Sequence, residues 1–230
     1  MLFRSVLSRA IGDILTAYDP RIGVCRIPSS VSDLPVDVAW VEQFRREHAG
    51  RFIVGTIGAL DQSHKGQLVL IEAARIIGRV QPNIHFVIVG TGRDERVMKQ
   101  AAVTLHNVSF AGWSERVGDY LAAFDLFAFP SLHEGFGSVL TDAMQFGLPI
   151  VASDVGGIVD LVNQGENGLL VAPGDAQATA QAIMSLYQAP ALRQAMAAAN
   201  RSRGCEYRPA VMADRYLELY REVLNRTNRQ

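Results

Sequence analysis

The chain has 230 residues, of which 49% are hydrophobic and 20% are charged. This composition supports a sizeable buried core and excludes a chain that is disordered throughout. Lys and Arg total 22 against 23 Asp and Glu, a formal net charge of -1, whereas a general nucleic-acid binder is normally basic. No apolar run reaches the roughly 18 residues of a membrane span. We expect a cytoplasmic protein without nucleic-acid partners, with peripheral membrane attachment left open.

Residues 1–50 are predicted to form a helical flank outside the main domain. Residues 5–18 are predicted to form an amphipathic helix. The apolar start MLFRSVLSRAIGDIL is not interpreted as a signal peptide, because it lacks the long hydrophobic region and the cleavage site of one. A second helix is predicted near Val38–His48, after a stretch interrupted by prolines. Too few strand-forming residues occur here to predict a sheet.

From Phe52 to Ala189, apolar strand-like runs alternate with amphipathic helical stretches. The predicted strands are Phe52–Ile57, Ile84–Val89, Val108–Phe110, Leu126–Phe129, Pro149–Ala152 and Leu169–Val171. The predicted helices cover Gly66–Val80, Asp94–Leu105, Glu115–Ala123, Gly137–Phe146, Ile158–Asn163 and residues 176–188. Continuous apolar strands with helical crossovers predict an α/β fold, a doubly wound, parallel, Rossmann-like sheet with flanking helices.

The main domain is predicted to span residues 51–204. A tail over residues 205–230 contains a long amphipathic helix at 207–224. Ligands of doubly wound sheets bind beyond the carboxyl ends of the strands, so the loops that follow the predicted strands are where we expect the chemistry.

The first of these loops, GALDQSHKG, runs from Gly58 to Gly66. A loop with glycines at the start of a helix presents free N–H groups and the positive end of the helix dipole, which suits a phosphate. Lys65 would add a full positive charge, and lysine is rare here: Lys65 and Lys99 stand against 20 arginines. A solvated residue in a first helical turn remains the other interpretation of Lys65.

The second loop begins with Gly90-Thr91-Gly92. It has the first two glycines of a dinucleotide-binding fingerprint, but Glu95 occupies the position of the third. We interpret it as a tight turn that lets a flat base or a ribose approach the backbone.

The third loop, SLHEGFGSVLTD, carries the most information. Glu134 lies at the carboxyl end of a predicted strand, and Gly135 and Gly137, on either side of Phe136, allow close approach of a ligand to the backbone. An ordinary loop acid is the alternative for Glu134. His133 is a weaker candidate for a general base, because neighbouring side chains point in different directions.

The helix after this loop adds three candidate residues. The N–H groups of Ser138 and Val139 belong to its first turn and are placed to bind a phosphate. Asp142 lies further along the helix, where its carboxylate suits the paired hydroxyls of a ribose, or is simply solvated. A fourth loop, with Gly156-Gly157 at the start of a short helix, could face a phosphate or a sugar.

Several spaced motifs, in the same order, resemble the C-terminal, donor-binding half of retaining group 1 glycosyltransferases with a GT-B fold. They are VGTIGALDQSHKG, FVIVGTGRDE and PSLHEGFGSVLTDAMQFGLPIVASDVGGIVDLVNQGENGLLVAPGD, and the resemblance covers residues 52–224. It implies a domain that holds a nucleotide-diphosphate sugar as its donor substrate, without a metal or other cofactor, for transfer of a hexose with retention in polysaccharide biosynthesis.

The resemblance also implies roles for individual residues. Lys65 would neutralise the diphosphate, and Glu134, the first carboxylate of an E-x7-E motif, would engage the donor sugar near its reacting carbon. Asp142 stands where the second glutamate would bind ribose, and the backbone at Ser138 and Val139 would bind the distal phosphate. The candidate catalytic residues are thus Glu134 and Lys65, and the other substrate-binding candidates are Gly58, Gly90, Gly92, Gly135, Phe136, Gly137, Ser138, Val139 and Asp142.

The sequence departs from the family pattern in three places. Ala59 stands where the family has an arginine, Asp142 is one methylene shorter than the expected glutamate, and no acceptor-binding domain precedes the linker-like segment Ile27–Val31. The resemblance implies that residues 1–50 are a remnant of that N-terminal domain with its linker, and that the helix at 207–224 is the one that crosses back to it. Catalysis in this family needs both domains, so we expect the chain to be incomplete by itself. Its expected partners are a separate acceptor-domain protein, or a second copy bound through the flanking helices.

Two rival functions remain open at this point. One is a degenerate homologue that binds a nucleotide sugar or a partner protein without turnover, as Ala59 and Asp142 would allow. The other is a nicotinamide-dependent oxidoreductase, which the missing third glycine disfavours.

Overall fold

The computed structural model describes residues 3–31 and 33–227. The strands found there are β1 (Phe3–Val6), β2 (Gly23–Arg26), β3 (Phe52–Ile57), β4 (Ile84–Val89), β5 (Val108–Gly112), β6 (Leu126–Phe129), β7 (Ile150–Ser153) and β8 (Gly168–Val171). The α-helices are α1 (Arg9–Tyr18), α2 (Val38–Glu47), α3 (Gln62–Lys65), α4 (Gln67–Gly78), α5 (Glu95–Ala101), α6 (Val117–Ala123), α7 (Ser138–Gln145), α8 (Ala176–Gln188), α9 (Pro190–Gly204) and α10 (Pro209–Thr227). Short 3-10 turns cover Gly156–Asp160 and Cys205–Tyr207.

The centre of the fold is a six-stranded parallel sheet with strand order β5-β4-β3-β6-β7-β8. Within this sheet, β3 is the first strand along the chain and lies in the middle. Strands β4 and β5 are added on one side of it, and β6, β7 and β8 then follow on the other side. The carboxyl ends of β3 and β6 are therefore neighbours at the point where the winding reverses, which is where such sheets bind ligands. The predicted doubly wound, parallel α/β fold is confirmed.

Helices cover both faces of the sheet, because alternate strand residues are buried on opposite sides. On one face Val54 and Leu126 pack among apolar side chains of α4 and α8. On the other, Ile53 and Phe127 pack among those of α6 and α7. Strands buried on both faces are apolar along most of their length, which explains why they were recognisable as hydrophobic runs.

The N-terminal flank differs from its prediction. Residues 5–18 are not one helix: Phe3–Val6 is strand β1, and α1 begins only at Arg9, after the N-cap Ser8 whose side chain accepts a hydrogen bond from the N–H of Ile11. Strand β1 pairs in parallel with β2 to form a small second sheet. The expectation that this flank has too little strand for a sheet is wrong.

The two flanks pack against each other. Ile27, which follows β2, is buried with Met212 and Leu219 of α10. Helix α1 approaches the main domain, since a Cβ built on Gly135 would lie 3.6 Å from Cδ1 of Ile11. In the part of the chain that the structure describes, no helix is long and apolar enough to cross a membrane.

Candidate functional site

Two of the residues singled out in the sequence form an ion pair. Lys65, the last residue of α3, places Nζ 2.6 Å from Oε2 of Glu134 in the loop after β6. The Lys65 side chain is 29% exposed and that of Glu134 13% exposed, so both are partly withdrawn from water. The Lys65 ammonium also lies 5.4 Å from the centre of the Phe129 ring, a cation–π distance. The structure thus joins a cation and an acid that are 69 positions apart in sequence.

Backbone contacts hold the two loops together. The N–H groups of Leu132 and His133 both donate to the carbonyl of His64, at 2.7 and 3.1 Å. Between the loops, Gly66 has a positive φ of 63°, and a Cβ there would lie 2.1 Å from the carbonyl oxygen of Pro130. Only glycine fits both requirements, so Gly66 permits the close approach that brings Lys65 to Glu134.

The pair faces an open cavity of about 480 Å³. Its lining includes both residues together with Ala59, Asp61, His64, His133 and Gly135. Gly58 precedes this lining, and a Cβ built on it meets no atom within 4 Å. Ala59 itself is exposed on the wall of the cavity, so the loop after β3 leaves this side of the cavity open.

A second ion pair lies at the edge of the cavity. Arg93 donates from Nη2 to Oδ1 of Asp61 at 2.7 Å and to Oγ of Ser63 at 2.5 Å. The Ser63 hydroxyl and Arg93 lower the pKa of the Asp61 carboxyl to about 2, so Asp61 is ionised at neutral pH. Both carboxylates that line the cavity are consequently neutralised by a cation.

Asp61, His64 and Arg93 were missed in the sequence analysis. The local signal for Asp61 is its spacing to Ser63, whose N–H and hydroxyl both bind the carboxylate in a turn that aspartate favours. Nothing in the sequence indicates that Arg93, from the next loop, would reach it.

The fourth predicted loop supports the third one. The N–H of Gly157 donates to the carbonyl of Glu134 at 3.0 Å, and a Cβ on Gly156 would lie 1.9 Å from the same oxygen. A Cβ on Gly157 would in turn lie 2.2 Å from the carbonyl oxygen of Gly135, so close packing on the backbone of the Glu134 loop explains both glycines.

Gly90 and Gly92 have a similar explanation. Cβ atoms built on them would lie 2.0 Å from the carbonyl oxygen of Gly58 and 2.4 Å from that of Leu60, respectively. The loop after β4 therefore packs directly on the loop after β3. Approach of a base or ribose at this loop stays a prediction.

The remaining candidates lie on or next to α7. Gly137, with φ of 84°, is the N-cap and supplies no side-chain hydrogen bond to the first turn, to which Ser138 and Val139 belong. The ring of Phe136 is in the hydrophobic core. Asp142 is 8% exposed and, among the described residues, is not part of the cavity lining, so its binding to ribose stays a prediction. Within residues 3–31 and 33–227, no group of three or more His, Cys, Asp or Glu side chains could hold a metal ion.

The fold and the site together define a class of protein: an α/β domain that offers a charged cavity where the winding of its parallel sheet reverses. The model of the family "Glycosyl transferases group 1" matches residues 51–189. The chain belongs to this family, and the resemblance to the C-terminal domain of a group 1 glycosyltransferase with a GT-B fold is confirmed.

Individual relatives agree with this assignment. The phosphatidyl-myo-inositol mannosyltransferase of Mycobacterium leprae is 31% identical over 170 residues, which cover 73% of this chain and 46% of that protein. The solved structure of sucrose-phosphate synthase from Thermosynechococcus elongatus superposes with a TM-score of 0.84 at 26% identity, over 97% of this chain and 58% of that one. Anabaena Alr3699/HepE, crystallised with UDP-glucose, has the same fold, with a TM-score of 0.84 at 24% identity over 95% of this chain and 63% of that one. The chain spans about half the length of the curated relatives that it matches.

Proposed function

We propose that the chain is the donor-binding part of a retaining glycosyltransferase. It holds a nucleotide-diphosphate sugar, and with an acceptor-binding domain it transfers a hexose to a sugar or lipid-linked acceptor in the cytoplasm. The observation that carries the proposal is the Lys65–Glu134 pair, 2.6 Å apart, at the carboxyl ends of β3 and β6 and facing a cavity of about 480 Å³.

Each partner of the pair has a distinct task. Lys65 provides positive charge where the diphosphate leaves, and the N–H groups of Ser138 and Val139 add the positive end of the α7 dipole. Glu134 lies beside the lysine, and in this proposal it binds the donor sugar next to the diphosphate. In this proposal no metal or other cofactor takes part: the leaving diphosphate takes over the Lys65 ammonium from Glu134 and also faces the N-terminus of α7.

Two further observations support the proposal. HepE of Anabaena, with the same fold, was crystallised with UDP-glucose, and the mycobacterial relative is a mannosyltransferase. A degenerate, non-catalytic homologue is not favoured, because the chain retains the family's lysine and first glutamate in mutual contact.

The test is calorimetry of the chain with UDP, GDP and ADP. We expect at least one of them to bind, and Lys65→Ala to weaken that binding roughly ten- to hundredfold, the effect of losing a charge-assisted hydrogen bond. Lys99→Ala is the matched control, because Lys99 is the other lysine and pairs with Glu95 on α5. No binding of any nucleotide at millimolar concentration, or equal losses in the two variants, would contradict the proposal.

A further inference from the structure

A second cavity lies at the opposite end of the sheet, where β3, β4 and β5 begin. It has a volume of about 470 Å³, within the size range of small-molecule sites, and its polar lining comprises Arg51, Arg75, Arg79, Thr104, His106 and Asn107. No acidic side chain belongs to the described lining. We propose that this cavity binds the phosphate group of an anion, either a free phosphate compound or the headgroup of an anionic lipid.

The first cation, Arg51, is oriented by a histidine and not by an acidic side chain. Its Nη1 lies 2.9 Å from Nδ1 of His85, and Nε2 of His85 lies 3.0 Å from the hydroxyl of Ser109. Burial, together with the neighbouring Arg51 and His48, lowers the pKa of His85 to about 4, so the ring is neutral at pH 7. A neutral hydrogen-bond acceptor therefore orients the guanidinium and leaves its full positive charge for a ligand.

The other two arginines add to this charge. Arg79 is exposed, and no side-chain partner for it occurs among the described residues. Arg75 is positioned by a 3.0 Å ion pair with Glu72 and by a 2.6 Å hydrogen bond to the carbonyl of Ala101. Since Glu72 offsets only one of the three arginines, the charges of Arg51 and Arg79 remain without an acidic partner.

This arrangement favours a phosphate over other ligands. Guanidinium groups are planar forks that match pairs of phosphate oxygens, and three of them line one concavity. The chain as a whole has a formal net charge of -1, so the positive charge at this end of the sheet is local. The cavity is also separate from the Lys65–Glu134 site, which lies beyond the carboxyl ends of the strands.

The test uses two probes. Inorganic pyrophosphate is titrated by calorimetry into the Lys65→Ala chain, in which the candidate donor site is weakened. Cosedimentation with phosphatidylcholine vesicles, with and without phosphatidylglycerol, tests the lipid source.

Arg79→Ala is the principal variant, because its exposed side chain can be removed without breaking a described contact. Arg221→Ala removes an exposed arginine of α10 and is the matched control, and thermal unfolding verifies that both variants fold.

Binding of pyrophosphate that weakens about tenfold in Arg79→Ala but not in Arg221→Ala would support a free phosphate ligand. Binding only to vesicles with phosphatidylglycerol, lost in the same variant alone, would support a lipid headgroup. Failure of both probes to bind, or equal losses in the two variants, would overturn the proposal. Because the cavity shares no lining residue with the Lys65–Glu134 site, these outcomes do not depend on the proposed donor site.

Discussion

At the scale of single residues, the charges around the candidate donor cavity balance one another. Glu134 is paired with Lys65 and Asp61 with Arg93, at 2.6 and 2.7 Å. A diphosphate that binds here must therefore compete with Glu134 for Lys65. Neither of these two ion pairs has an unpaired positive charge to offer the diphosphate. We expect this competition to make the affinity sensitive to one added or removed charge.

Ala59→Arg should tighten the binding of a nucleoside diphosphate. Ala59 is exposed on the cavity wall, next to the open space at Gly58, so a guanidinium has room to bind two phosphate oxygens. The expected gain is about 1–3 kcal/mol, and it should shrink as salt is added. Calorimetry at two salt concentrations measures both effects. Unchanged or weaker binding would show that the loop is not shaped around a phosphate.

The residues of the site differ in how far sequence could reveal them. Lys65 and Glu134 were predicted because each is a charged residue in a glycine-containing loop that follows a predicted strand, where doubly wound sheets bind ligands. The pairing of Asp61 with Arg93 was not, because it joins two separate loops. Gly90 and Gly156 were assigned to ligand approach, whereas their close contacts are with backbone carbonyls, a distinction that sequence does not contain.

At the scale of elements, the prediction is correct where neighbouring residues determine a helix or strand, and it fails where contacts with distant residues do. The bounds of β4 and β6 were predicted correctly, because a continuous apolar run ends at Gly90 or at Pro130. Strand β1 was missed, because its residues continue the apolar spacing of α1 and only pairing with distant β2 makes them a strand. Helix α9 was also missed, since its buried positions are few: Met196, Asn200 and Gly204.

Asn200→Ala should destabilise the fold through α9. The buried Asn200 side chain donates to the carbonyls of Leu148 and Asn167, at 2.7 and 2.8 Å, and accepts from Nδ2 of Asn167 at 2.9 Å. Its removal leaves buried polar groups without partners, for an expected loss of about 2–4 kcal/mol in the free energy of unfolding. Urea denaturation measures this loss. A loss below about 0.5 kcal/mol, as is usual for surface substitutions, would mean that these contacts are not formed.

His85, near the amino end of β4, should make the free energy of unfolding depend on pH. His85 has a pKa of about 4 in the folded chain, because of its burial and the charges of Arg51 and His48, against about 6.5 when unfolded. Between these values only the unfolded chain gains the proton, so stability is full above pH 6.5 and falls as the pH is lowered towards 4. The contribution is at most roughly 3 kcal/mol.

Unfolding free energies across this pH range would measure the contribution of His85. The pH dependence should be smaller in His85→Gln than in His106→Gln, which replaces an exposed histidine. The same pH dependence in both variants would contradict the assignment.

At the scale of the whole molecule, the chain spans about half the length of its curated relatives, and its flanks retain apolar surface. A cavity of about 530 Å³ on α10 is lined mostly by apolar and aromatic side chains, including Tyr216, Leu219 and Tyr220. Such a surface suits an acceptor-binding domain or a second copy of the chain. Association through the flanking helices stays a prediction.

The chain alone should show no turnover of a nucleotide sugar. The candidate donor cavity is open to solvent, and no described residue covers it, so water has access to a bound sugar. The measurement is release of nucleoside diphosphate from UDP-, GDP- and ADP-sugars. Steady release that disappears in Glu134→Gln but persists in Glu166→Gln, a change at an exposed acid, would show that this expectation is wrong.

The strand order also bears on how the chain is made. Strands β3, β4 and β5 are consecutive in sequence and adjacent in the sheet, so they can pair while the ribosome is still synthesising the rest. The free side of β3 must then wait for β6, more than sixty residues later, and parallel pairing over such separations is slow. During that interval β3 exposes an unpaired, apolar edge, which is a site for aggregation. We therefore expect nascent chains that end before β6 to require a chaperone.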